Sequence, residues 1–180
     1  MTSLYIGTEN IPTKTFDGQP MTIKPILVEV EGRFISHRDW KPPPDVSEID
    51  MVVAGKMREI PLPLPGDVAQ GILHHLKYFH GRQDNSFDCY AFANLVKGVP
   101  QHRMPYMLLH WHKRHLPWRV PIGSVVFLES GATRFHHAAI YLGRQLYLSV
   151  WGAGGDLEIA TLKTMKRDFD AERVMLAHPM

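Results

Sequence analysis

Disulfide chemistry is absent from this chain, because it contains a single cysteine, Cys89. One thiol closes no internal bridge, so the fold does not depend on an oxidising compartment. Long apolar runs are absent too: none reaches the roughly 20 residues that a membrane helix needs. No membrane span is therefore expected. The opening segment, MTSLYIGTENIPTK, lacks a basic stretch followed by an apolar one, so no cleavable signal peptide is read there. The protein is expected in the cytoplasm, or exported by a route that needs no cleaved signal. An excess of one charge is also lacking. Twenty Lys and Arg face 18 Asp and Glu, a net charge of +2 with histidines neutral, and the cations form no run. That balance excludes the electrostatic footprint of a nucleic-acid binder.

What the chain does contain is ordinary globular material: 180 residues, 44% of them hydrophobic, enough for a core without staples. Residues 1–60 carry short strand-like pieces. ILVEV and RFIS flank Glu31-Gly32, which reads as a hairpin turn. WKPPPDVSEID follows, and its consecutive prolines exclude a helix interior or a central strand. Residues 40–50 read as an extended connector. IPLPLPGD, with proline at alternate positions, reads as another extended stop. This part is expected to be an N-terminal extension, with too few apolar residues for a core of its own. Residues 61–180 form the main domain.

In that domain, GDVAQGILHHLKYF places apolar residues at 68, 69, 72, 73, 76 and 79, the spacing of one helical face, with Asp67 as N-cap. CYAFANLVKGV reads as a second helix, with Asp88 or Ser86 near its start and Gly98 near its end. The segments PIGSVVFLES, HHAAIYLG, RQLYLSVW, LEIATL and RVMLAHP read as successive antiparallel strands. Helices first and strands afterwards give an α+β class.

Cys89 falls at the start of the second helix, where unpaired N–H groups and the helix dipole favour a thiolate. A buried cysteine is also a common small hydrophobe. A nucleophilic thiol needs an oriented base, and His136 and His137 open an apolar strand. Adjacent strand residues point to opposite faces, so only one of the two can serve.

FDCYAF, PIGSVVFL and HHAAIYLG, preceded by the helix GDVAQGILHHLKYF, together resemble the NlpC-type cell-wall peptidases, a group of papain-like cysteine peptidases. The resemblance spans roughly residues 66–162, and the order of the motifs agrees. It implies a papain-like fold, with N-terminal helices packed on a C-terminal antiparallel sheet. It also implies a hydrolase that cleaves an amide bond through a thioester acyl-enzyme. Cys89 matches the nucleophile and His137 the base, because Ala-Ala-Ile-Tyr-Leu-Gly follows it. Ser149 matches the third polar position, where the family carries His, Asn or Gln. Asp156 is the alternative orienter. A peptide or peptidoglycan-fragment substrate is implied, with no cofactor and no metal. The family's Ser-Gly after the cysteine is replaced by Tyr90-Ala91.

The same fold also serves acyltransferases, thioesterases and deamidases, and it can persist as a binding module without turnover. HWHKRH offers His110, His112 and His115 as zinc ligands if they converge, but a basic, histidine-rich surface segment is the preferred reading. His74, His75 and His80 read as a solvated face. Trp40, Trp111, Trp118 and Trp151 read as core or loop anchors. GAGG, residues 152–155, lacks a following helix signal and is not read as a phosphate loop.

Overall fold

Leu4, Leu27, Val28, Val30 and Ile35 are at most 2% exposed, and the strands that carry them build the first sheet of the protein. The structure is a computed structural model that describes residues 2–15, 17–81, 87–99, 111–115, 117–131, 137–152 and 154–179. It divides into two units, Met1–Pro63 and Leu64–Met180.

The first unit contains β1 (Thr2–Gly7), β2 (Ile11–Lys14), β3 (Pro20–Ile23), β4 (Ile26–Val30), β5 (Arg33–Ser36), α1 (Glu48–Val53) and β6 (Met57–Pro61). Four strands pair in the order β5-β4-β1-β6, while β2 and β3 form a separate ribbon. All of these pairings are antiparallel. Glu31 and Gly32 turn β4 into β5 with φ of 49° and 77°, the left-handed pair that suits strand twist in a two-residue hairpin. Contrary to expectation, this unit has its own core. Tyr5, Leu27, Trp40 and Met57 are buried together, with Phe34, Met51 and Val52 against them. The apolar residues are few, but β1 and β4 bury consecutive ones on both faces, and the two proline-flanked segments add Trp40 and Met57.

The connector read over residues 40–50 is extended only in part, because α1 begins within it. Ser47 accepts from the Asp50 N–H and Asp50 accepts from the Ser47 N–H, a reciprocal capping box. The prolines lie ahead of that cap, where they do no harm to the helix.

The second unit contains α2 (Gly66–Tyr78), α3 (Cys89–Val96), β7 (Trp111–His115), β8 (Val125–Glu129), β9 (His137–Gly143), β10 (Leu146–Val150), β11 (Leu157–Thr161), α4 (Leu162–Phe169) and β12 (Arg173–Pro179). Six antiparallel strands run in the order β11-β10-β9-β8-β12-β7. The expected strands are present, and β7 and α4 are additions. Thr161 ends β11 and at once caps α4, its hydroxyl accepting from the Thr164 N–H at 3.2 Å. A threonine at a strand end that also serves as an N-cap hides the helix inside what reads as a strand.

α2 starts one residue before its expected cap. Pro65 occupies the N-cap, and Asp67 lies in the first turn, accepting from the Val68 N–H. Val68, Ile72, His75 and Leu76 face inward. Gly71 sits where α2 crosses α3: a Cβ there would lie 2.7 Å from Val96 Cγ2 and 3.0 Å from its Cα.

Strand register separates the two faces of the sheet. Val125 pairs with Ile140, Phe127 with Ala138, Leu128 with His137, Tyr141 with Tyr147 and Ile140 with Leu148. Directly opposed residues share a face, so Val126, Leu128, His137, Ala139, Tyr147 and Ser149 lie on one side. That side packs against Met165 and Phe169 of α4. Phe127, Ala138, Ile140 and Leu148 lie on the other, where the Tyr90 ring of α3 meets the Phe127 ring edge-on at 6.0 Å. α3 lies against β9 and β10, and α2 against α3. Among the described residues, no helix is long and apolar enough to cross a membrane.

Gly71→Ala is expected to destabilise the protein by about 1–3 kcal/mol, the usual cost of overpacking a close contact, read as a fall of several degrees in Tm. An unchanged Tm would show that α2 and α3 separate at no cost.

Candidate functional site

Cys89 is the first residue of α3, placed there by Asp88. The Asp88 backbone is extended, and its Oδ1 accepts from the Tyr90 N–H at 3.0 Å and the Ala91 N–H at 2.9 Å. The residue before it, Phe87, is tied down by its carbonyl, which accepts from the Gly154 N–H at 2.9 Å. The Asp156 carboxylate accepts from the Gly81 N–H at 2.7 Å and lies 3.5 Å from His80 Nδ1. The segment between β10 and β11 therefore grips the chain between α2 and α3 at two points, residues 81 and 87. Asp156, the alternative orienter of the sequence reading, is engaged by Gly81 and His80.

The thiol is buried, with Cys89 only 6% exposed. Of the backbone groups near it, the N–H of Ala138, the residue after His137, favours the thiolate most. Burial pushes the thiol up to about 12, and the neighbouring Asp88 carboxylate raises it further, against smaller downward pulls from the N–H groups of Ala138, Tyr90 and Cys89. The expected direction was downward. Two things reverse it. Desolvation penalises the anion, and the Asp88 carboxylate repels it, which together outweigh the nearby N–H groups.

His137 opens β9 and Ser149 lies on β10, on the same face. His137 Nε2 is 2.7 Å from Ser149 Oγ, and each residue is 1% exposed. A neutral ring that donates Nε2–H to Ser149 keeps its lone pair on Nδ1, the nitrogen nearer its own backbone. The Phe169 ring stacks on the imidazole, with centroids 3.9 Å apart and planes 15° apart. Trp151 stands 5.5 Å from the imidazole and 4.8 Å from Phe169. The structure thus brings His137 and Ser149 into a hydrogen bond, and brings Cys89 to the strand backbone one residue beyond His137.

Other expectations sort as follows. Ser86, His110 and His136 lie outside the described residues. WHKRH forms the edge strand β7, in which positions 112 and 115 belong to opposite faces; the side chains from 112 to 115 are likewise outside the description. Among the described residues no group of three metal-binding side chains comes together. Tyr90 is 4% exposed and packs into the core. Trp40 and Trp111 are buried, whereas Trp118 is 97% exposed and anchors nothing within the chain.

His75 is the clearest departure. It is fully buried rather than solvated, because it shares the inward face of α2 with Val68, Ile72 and Leu76. Phe79, Phe87 and Phe92 surround its ring at 5.8, 5.2 and 5.6 Å. Neither ring nitrogen has a hydrogen-bond partner among the described residues. Burial, helped by His80 and His74 and opposed by Asp156, pushes it down to about 4. Phe169 and the Gly154–Phe87 tether were not anticipated either. The only sequence signal for Phe169 is an amphipathic LKTMKRDF behind a capping threonine.

No family model and no curated protein matches the sequence. Among solved structures, the chain is similar to an NlpC/P60 family protein from Bacillus cereus ATCC 10987. The TM-score is 0.42 and the identity 12%, over 96% of this chain and 62% of that one. The chain therefore spans less than two thirds of that protein's length, and so slight a likeness carries no argument beyond a distant relation in fold.

Because the folded protein binds His75 in its neutral form, the unfolded chain takes up more protons between pH 6.5 and about 4. The stability contributed by burying the neutral ring is present above pH 6.5 and is lost as pH falls through that window, by about 1.4 kcal/mol for each pKa unit separating the two states. His75→Leu is expected to be near neutral at pH 7 and to lower the pH of acid unfolding. An acid-unfolding curve identical to that of the wild type would remove His75 as a determinant.

Proposed function

We propose that the protein is a cysteine hydrolase of papain-like architecture that cleaves an amide bond in a peptide or peptidoglycan-fragment substrate through a thioester acyl-enzyme. The observation that supports this reading most is the pair of contacts at the start of β9. His137 is bonded to Ser149 through Nε2 at 2.7 Å, and the next backbone N–H, that of Ala138, acts on the Cys89 thiol in favour of its anion.

In this reading the resting thiol is neutral, and its proton leaves only as the carbon–sulfur bond forms. His137 Nδ1 accepts that proton while Sγ attacks the carbonyl carbon. The Cys89 N–H holds the oxyanion; the next two N–H groups are already taken by Asp88. The tetrahedral adduct collapses, the imidazolium protonates the leaving amine, and an acyl-thioester remains. Water then attacks the thioester while His137 accepts its proton. The carboxylic acid departs, and the proton returns to the sulfur. Ser149 fixes the tautomer but supplies no charge. The same first half-reaction would serve an acyltransferase, thioesterase or deamidase, with a different acceptor in the second.

One observation favours a second reading, a binding module of the same fold without turnover. The thiol is nearly inaccessible and its pKa is raised to about 12.

An activated ester such as p-nitrophenyl acetate distinguishes the two. The hydrolase reading expects a burst of one equivalent of nitrophenol with an acetyl group on Cys89. The burst should be absent in Cys89→Ala, about 100-fold or more slower in His137→Ala, and slowed less by Ser149→Ala. Alkylation of Cys89 by iodoacetamide should keep rising through pH 9 without a plateau near neutrality, since the folded thiol titrates near 12. No acetyl-Cys89, together with alkylation indifferent to His137→Ala, would sink the hydrolase and leave the binding module.

A further inference from the structure

The base at this site has an unusual support. In the proposed reaction His137 becomes an imidazolium while 1% exposed, where water cannot solvate it. Its hydrogen-bond partner, Ser149, is neutral. The rings stacked around the imidazole bear on both the charge and the ring plane. On the α4 side, the Phe169 ring lies face to face with the imidazole at 3.9 Å and 15°, and Trp151 leans against both rings.

We propose that Phe169 is the positioning residue of His137: its ring locks the imidazole plane, and its electron-rich face stabilises the imidazolium that forms when the base takes the thiol proton. The inference rests on His137 acting as the base in the proposed function.

The local structure supports a purposeful placement. Phe169 is the last residue of α4, and the helix stops there because Asp170 turns left-handed, with φ of 48° and ψ of 42°. The Ala171 N–H returns to the Lys166 carbonyl at 3.1 Å, closing the end of the helix as a left-handed C-cap does. Met165, one turn earlier, is fully buried against the sheet. Phe169 is thus held by a buried anchor on one side and a fixed cap on the other. A stack within 6 Å is the geometry in which an aromatic face attracts a cation. Aligned planes also resist rotation of the imidazole about its bond to Cβ, which keeps Nε2 on Ser149 and leaves Nδ1 facing back toward the strand.

Charged groups also lie on the surrounding elements. On α4, Arg167 bonds to Asp168 at 2.5 Å. Before α3, Asp88 is occupied by two backbone N–H groups. On β11, Glu158 lies directly opposite Ser149 in register, so it shares the face of the histidine and has to be left intact in any test.

The test is the titration of His137 by NMR on protein carrying isotope-labelled histidine. Replacing Phe169 with pentafluorophenylalanine keeps the ring's shape and stacking but reverses its quadrupole, without touching Glu158. The expected result is a fall in the pKa of His137 of about half a unit to one unit. Phe169→Leu should produce a fall in the same direction, and Phe169→Tyr should restore the wild-type value. A His137 pKa that is unchanged or raised in the fluorinated protein overturns the proposal, whether or not Phe169→Leu folds. This readout needs no substrate, so it is separate from the fate of the hydrolase reading, which is decided by acetylation of Cys89.

Discussion

Where α3 begins decides everything at this site. Asp88 sets that point by spanning the first turn with one carboxylate oxygen, and the Gly154–Phe87 hydrogen bond fixes the chain that leads into it. The cap that creates the position also determines its chemistry. A helix start is attractive to a thiolate only while its N–H groups are free. Here the Tyr90 and Ala91 N–H groups are held by the Asp88 carboxylate, whose own charge opposes the thiolate. Burial adds to this, and Cys89 is poorly ionised.

The sheet contributes a second constraint, the alternation of faces. β9 presents Ala138 toward α3 and His137 toward α4. The helix that carries Cys89 thus packs on one face of the strand, and the His137 side chain belongs to the other. Small residues at 138 and 139 allow close packing on both faces. The same alternation puts Ser149 and Phe169 on the histidine's side, so β10 and α4 both bear on the orientation of its ring.

Much of this was legible in the chain. The second helix and the successive strands of the second unit follow from apolar periodicity, and the Glu31-Gly32 turn follows from its residue types. The nearness of Ser149 to His137 came from a family spacing, twelve residues around a hairpin, and the sheet realises it as a hydrogen bond. Other features were not legible for identifiable reasons. α4 is concealed by Thr161, which serves both strand and helix. α1 follows a proline run whose breaking effect stops at Ser47. The core of the first unit depends on Trp40 and Met57 arriving from segments that read as linkers. The burial of His75 follows helical phase, which overrides its polarity. The raised pKa of Cys89 depends on depth, and depth is a property of the packed fold rather than of any local pattern.

Gly71 has a mechanical consequence. With no side chain between its Cα and Val96, α2 and α3 touch backbone to side chain along their crossing. Two helices in such contact cannot slide or tilt independently without a clash. They form one stiff bracket, with Cys89 at one tip and the exposed flank of α2 as its handle. A force applied to that flank, by a neighbouring molecule or by the chain that follows Tyr78, would be delivered to the sulfur atom as displacement.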